Sequence, residues 1–312
     1  VETLRKRLQQ HNLTIPDDHK LPPHQFMHLH HMKTGGTSVD DLLKCSVKRM
    51  QHVLHYDTRH FSLHECTSKI FNKCLAGDEK CRARLDSTTF LSYCAPLKHL
   101  STFGWTKGDD LPDFAAVTVL RHPVDRVWSN YRFATKGCYR CKPLKDIYKA
   151  YEEDTLAQYE MKKDSLCVRQ MLNHETYSLL SSTKFDEAQD GIVDVTDDMR
   201  KEMVEEATNN MENFFTMVGI TEELNTFGKM LPQVFPFMAP TIPGSHRACH
   251  LPHSNQSPSN NHCGPGRGHM ELPPHPNNET RAIIEKHNQM DIELYEAAVE
   301  RFKLQKKALG FR

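Results

Sequence analysis

Residues 25–48 constrain the fold of this chain more than any other stretch. Gln25-Phe26-Met27-His28-Leu29-His30-His31-Met32 is an alternating, β-compatible run that stops at Gly35-Gly36. From Thr37 the apolar spacing becomes helical, through Val39, Leu42, Leu43 and Val47. This is strand, glycine turn, helix. The same alternation of elements recurs downstream. Residues 88–93 and 114–120 read as strands, the second nearly continuous in apolar residues, as a buried parallel strand is. Arg121-His122-Pro123 follows and sets a proline at a first helical position. Residues 197–212 have the pattern of a capped amphipathic helix, with a strand at 214–219 and another helix from Thr221. Apolar spacing over 278–307 predicts a helical pair or one bent helix. Strands alternating with helices imply an α/β fold with a mainly parallel central sheet flanked by helices. We expect a single domain over 1–312, with a short lead-in at 1–24 and a long Pro/His/Gly-rich loop at 240–276.

Composition narrows the class of function. The chain carries 40 Lys plus Arg against 40 Asp plus Glu, which excludes a basic nucleic-acid module on bulk charge. No stretch approaches the ~18 apolar residues of a spanning helix, and the first residues lack the apolar centre of a signal peptide. Ten cysteines, an even number, favour an oxidising compartment. Asn12 and Asn278 open N-glycosylation triplets, whereas Pro258 weakens the one at Asn255. Cys138 and Cys141 form a lone CxxC without the second knuckle a cysteine-only zinc site needs, so a disulfide or two free thiols suit them better. Cys249, His250, His253, His262 and Cys263 cluster in the late loop. There we expect a Cys249–Cys263 disulfide rather than a metal.

Two motifs carry chemistry. In Met32-Lys33-Thr34-Gly35-Gly36-Thr37-Ser38, the glycines let backbone N–H groups close around an anion at the positive end of a helix. Lys33, Thr37 and Ser38 add a cation and hydroxyls, so the turn should bind a phosphate. It is not the G-x-x-x-x-G-K-[ST] loop of a nucleotide triphosphatase, because Lys33 precedes the glycines, and the requirement for Mg²⁺ goes with that loop. The second motif is Leu120-Arg121-His122-Pro123-Val124-Asp125-Arg126-Val127-Trp128-Ser129-Asn130-Tyr131. Arg121 at a strand's carboxyl end and Ser129 in the next helix can face the crevice where open α/β sheets bind ligands, as a second phosphate clamp. Arg126 reads as the partner of a carboxylate and Trp128 as core. Two anion sites on neighbouring strands imply one ligand with two separated phosphoryl-type groups.

Together the motifs resemble those of the P-loop sulfotransferases, in the family's order. The Golgi carbohydrate group is nearer than the cytosolic one, and residues 25–135 and 200–305 are loosely similar to the heparan sulfate 6-O-sulfotransferases and their 2-O-like relatives. The resemblance implies that 3′-phosphoadenosine 5′-phosphosulfate is the donor co-substrate. Lys33, Thr34, Gly35, Gly36, Thr37 and Ser38 would hold its 5′-phosphosulfate, Arg121 and Ser129 its 3′-phosphate, and Arg247 would close over it from the late loop. Lys33 would also stabilise the leaving phosphate, with no metal required. Leu63-His64 matches the pair that carries the family's catalytic base; His60 is the reserve, and Glu65 stays open because other members use a Glu.

The implied activity is sulfuryl transfer to an acceptor hydroxyl, expected on a glycan. A small metabolite, lipid or tyrosyl protein as acceptor, a nucleotide-type kinase and an inactive nucleotide-fold binding domain are the alternatives. Lys98, Lys107, Lys136, Arg140, Lys142 and Lys145 are the residues from which a basic acceptor groove could be built. The resemblance further implies the Golgi lumen or secretory pathway, with a membrane anchor ahead of Val1.

Overall fold

The computed structural model describes residues 25–31, 33–54, 79, 90–93, 97–98, 114–136, 141–153, 172–186, 195–239, 249–251 and 272–312. The lead-in and most of the 240–276 loop lie outside them.

Among the described residues the strands form one parallel sheet. β1 (Gln25–Leu29) is followed by helix α1 (Gly36–Leu54), then by β2 (Phe90–Tyr93) and β3 (Phe114–Leu120). Helix α2 (Pro123–Lys136) starts at the proline, whose fixed φ suits a first helical turn. Two helices come next in a stretch where the sequence suggested no element, α3 (Leu144–Glu152) and α4 (His174–Leu179). Helix α5 (Asp197–Phe214) begins after Thr196, whose side chain accepts from the Met199 N–H at 3.2 Å as an N-cap. It runs on through Phe214, so β4 (Met217–Ile220) starts later than the apolar run suggested. A 3₁₀ turn (Thr221–Glu223) leads into α6 (Leu224–Val234).

The C-terminal segment is a pair, α7 (Asn278–His287) and α8 (Gln289–Ala308). They part at Asn288, whose side-chain amide donates to the Ile284 carbonyl at 2.9 Å while its Oδ1 accepts from the Asn173 N–H at 2.9 Å. Such side-chain bonds offer the backbone an alternative to the helical ladder.

The strand order is β2-β1-β3-β4. β1 pairs with β2 and β3, which sets His28 opposite Ser92 on one side and Val117 on the other. A central strand with helices on both faces exposes neither, and Phe26, Met27, His28 and Leu29 are all buried despite their alternation. Phe26 meets the rings of Phe235 and Phe237 edge-on at 5.1 and 5.6 Å. β4 has no described strand on its outer side. There Gln305 of α8 takes the place of a strand, accepting from the Val218 N–H at 3.0 Å and donating to its carbonyl at 2.6 Å. The main core lies around the sheet, and a second apolar cluster joins α2, α3 and α7 through Val127, Trp128, Tyr148 and Ile284.

The disulfide expected within the late loop is corrected: Cys249 pairs with Cys45 of α1, with Cα atoms 5.7 Å apart. The reason is packing. Residues 249–251 dock on the helices, with Cys249 buried and Leu251 close against Gly228 of α6. A metal in the His/Cys cluster would lack that sulfur. Cys141 is also disulfide-bonded, and no described cysteine is free.

Candidate functional site

The strand order decides where a site belongs. From β1 the chain winds outward to β2 on one side, then returns to place β3 on the other. The crevice beyond the carboxyl ends of β1 and β3 is therefore the topological switch point, where open α/β sheets bind ligands. The two motifs meet here. The turn at 33–35 leaves β1, Arg121 leaves β3, and the first turns of α1 and α2 both begin at this end of the sheet. The Arg121 guanidinium donates from Nη1 to the Lys33 carbonyl at 3.0 Å.

The turn is tightly determined. Gly35 has φ 86, a left-handed conformation cheap only for glycine, and Lys33 has φ 68. For a residue with a Cβ that costs roughly 1–2 kcal/mol, which the surrounding bonds must over-determine. Thr34 donates from its hydroxyl to the His31 carbonyl at 2.9 Å, and Thr221 donates to the Thr34 carbonyl at 2.6 Å while lying 3.2 Å from that of Leu120. One hydroxyl thus ties the turn to the ends of both β3 and β4. Thr34 and Ser38 are buried, and of the motif's hydroxyl residues Thr37 is exposed. The Thr34 side chain is spent on closing the turn rather than offered to a ligand.

The Lys33 ammonium lies 4.1 Å from the centre of the Phe133 ring. Burial, and then the neighbouring charge of Arg121, lowers its pKa to about 8. It remains the cation of the crevice at neutral pH. Burial also lowers the pKa of Arg121, against the opposing pull of Asp125, Glu222 and Glu175. Those carboxylates offset part of the positive charge of the crevice. Ser129 is half-buried in the second turn of α2.

Behind Arg121 lies a buried ionic network. Arg126 donates from Nη2 to Asp291 at 3.1 Å, and Glu175 stands 4.0 Å from its Nε. Asp291 also accepts from the N–H groups of Glu175 and Thr176 at 3.2 and 2.8 Å and from the Thr176 hydroxyl at 2.7 Å, so it caps α4. Glu175 accepts from the Arg121 N–H at 3.0 Å, and burial drives its carboxyl well above the ordinary range despite Arg126. Arg126 and Trp128 have the roles the sequence suggested, a carboxylate partner and core packing.

Beneath the turn, Asp40 of α1 accepts from His28 Nδ1 at 2.7 Å and His30 Nδ1 at 2.8 Å, all three buried. Burial alone would raise Asp40, but the two imidazoles outweigh it and hold the carboxyl well below its usual value. His31 is also buried, and burial, then His174, Arg126 and the other two histidines, lowers its pKa far below the usual histidine value. His30 and His31 are both interior side chains.

Sequence reasoning missed Thr221, Phe133 and Asp40. The alternation that puts His28 and His30 on one face was a signal for the last; nothing local marks the other two. The expected base His64 and its alternatives His60 and Glu65 lie outside the described residues, as does Arg247. Of the basic groove, Lys98 is largely buried and paired with Asp186 at 2.5 Å, while Lys142 and Lys145 are exposed. No family model matches the chain, and no curated protein matches it.

Proposed function

We propose that the chain is a sulfotransferase of P-loop architecture, moving a sulfuryl group from 3′-phosphoadenosine 5′-phosphosulfate to a hydroxyl of a glycan in the secretory pathway. The observation that carries this reading is the meeting of the two motifs at the switch point, with Arg121 bonded to the Lys33 carbonyl. A donor with a phosphosulfate at one end and a phosphate at the other suits two such sites side by side. In this reading the N-terminal N–H groups of α1 receive the phosphosulfate, Lys33 leaves Phe133 to balance charge on the bridging oxygen, and Arg121 with Ser129 receives the 3′-phosphate. The acceptor's proton goes to a base, for which His64 is the candidate from resemblance. The disulfides support an oxidising compartment.

Calorimetric titration with 3′-phosphoadenosine 5′-phosphate, beside ATP with Mg²⁺, tests the donor. Tight binding of the former without metal is the expected result. Binding of ATP with Mg²⁺ alone would replace this reading by a kinase, and binding of neither would leave a domain without nucleotide chemistry.

A further inference from the structure

The arrangement around Asp40 reaches the backbone of the anion turn. A Cβ built on Gly36 would stand 2.3 Å from His30 Cδ2 and 2.7 Å from its Nε2, so the imidazole lies directly against the first residue of α1. That ring cannot swing freely. Its Nδ1 is held by one oxygen of Asp40 while the other oxygen holds His28, and the two rings stack with centres 5.5 Å apart. Rotating either ring would break a buried hydrogen bond to the carboxylate, and bonds to charged groups are worth about 1.5–3 kcal/mol.

We propose that Asp40 is a positioning residue for the anion turn: by clamping His30 against Gly36 it fixes the direction of the first N–H groups of α1. This rests on the reading of the turn as the donor's phosphosulfate site. It also gives a physical reason for glycine at 36, where any side chain would meet the clamped ring.

The same three groups could ligate a divalent metal, and distance decides between the two chemistries. Ligands 2.0–2.1 Å from a tetrahedral zinc stand about 3.3 Å apart, whereas these N···O separations are 2.7 and 2.8 Å. Protonation points the same way. With its Nδ1 on a metal, His28 would carry a proton on Nε2, which is buried with no partner among the described residues; with Nδ1–H donated to Asp40, that atom is only a bare acceptor.

The test is calorimetry of the wild type, Asp40→Asn, His30→Ala, Gly36→Ala and the double variant His30→Ala/Gly36→Ala, using two probes, 3′-phosphoadenosine 5′-phosphate and pyrophosphate. Circular dichroism checks folding and elemental analysis checks zinc. Asp40→Asn should bind both anions at least about tenfold more weakly, equivalent to ~1.4 kcal/mol. Gly36→Ala should lose binding, and the double variant should regain part of it, because the ring that clashed is gone. That rescue shows the ring bearing on residue 36, and Asp40→Asn shows whether Asp40 is what holds it there. Wild-type affinity in Asp40→Asn, or no rescue, overturns the proposal, as does one zinc equivalent held by the wild type and lost from Asp40→Asn. If Asp40→Asn does not fold, His30→Ala decides in its place: it should bind both anions more weakly, and wild-type affinity there overturns the proposal. A wild type that binds pyrophosphate but not the nucleotide refutes the donor while the variants still test Asp40; one that binds neither overturns both.

Discussion

Lys33 combines three costs that a surface lysine avoids: a left-handed backbone, partial burial and a cationic neighbour. Burial first, and then Arg121, bring its amine to a pKa of about 8, far closer to neutrality than usual. The sign of the consequence is fixed. Below that value Lys33 is an ammonium ion and favours an anion; as pH rises through it the charge is lost. Affinity for 3′-phosphoadenosine 5′-phosphate should therefore fall between pH 7 and 9.5 in the wild type. In Lys33→Met it should be weaker and nearly flat over that range, and an equal slope in both proteins would remove Lys33 from the site. In turnover, Lys33→Ala should lose roughly 10²–10³-fold, on the scale of a deleted oxyanion donor. Lys33 and Arg121 could be recognised from letters because each stands beside a break in hydrophobic period. Thr221 could not, since its role depends on which strand ends lie next to its own.

At the level of elements, the edge of the sheet rests on a side chain. Gln305 satisfies both backbone groups of Val218 in the interior, and Arg301, one turn earlier on α8, donates to the carbonyls of Met211 and Phe215. Replacing Gln305 by Leu keeps the volume and strands two buried polar groups, at about 1–3 kcal/mol each. Urea unfolding of Gln305→Leu should show that loss; an unchanged midpoint would mean the β4 edge is satisfied otherwise. The helix and strand positions themselves were largely legible, because 25–29, 114–120 and 123–136 have clear periods bounded by Gly or Pro. Helix α4 was not. It is six residues long and its N-terminus is capped by Asp291, more than a hundred residues away, so no local signal announces it.

Across the whole molecule, distant pairs hold together what the sequence presents as separate segments. The Cys45–Cys249 bond spans 204 residues and ties the helix of the anion turn to the docked segment 249–251. Breaking a bond that closes so long a loop typically costs about 2–5 kcal/mol. Thermal unfolding of Cys45→Ser/Cys249→Ser should drop accordingly; a variant as stable as the oxidised protein would show the bond to be dispensable. Such pairings are invisible to a linear reading, which sees Cys263 near Cys249 and has no means of seeing α1 beside it. The contribution of α8 has a consequence for biosynthesis. Asp291 pairs with Arg126 and caps α4, while Gln305 completes β4, and all of these partners emerge from the ribosome long before α8 does. A nascent chain stopped short of residue 291 holds a buried arginine without the nearer of its two acids, and an open sheet edge. The crevice beyond β1 and β3 is therefore completed only once residues 291–305 have been made, and a product truncated before them has no route to it.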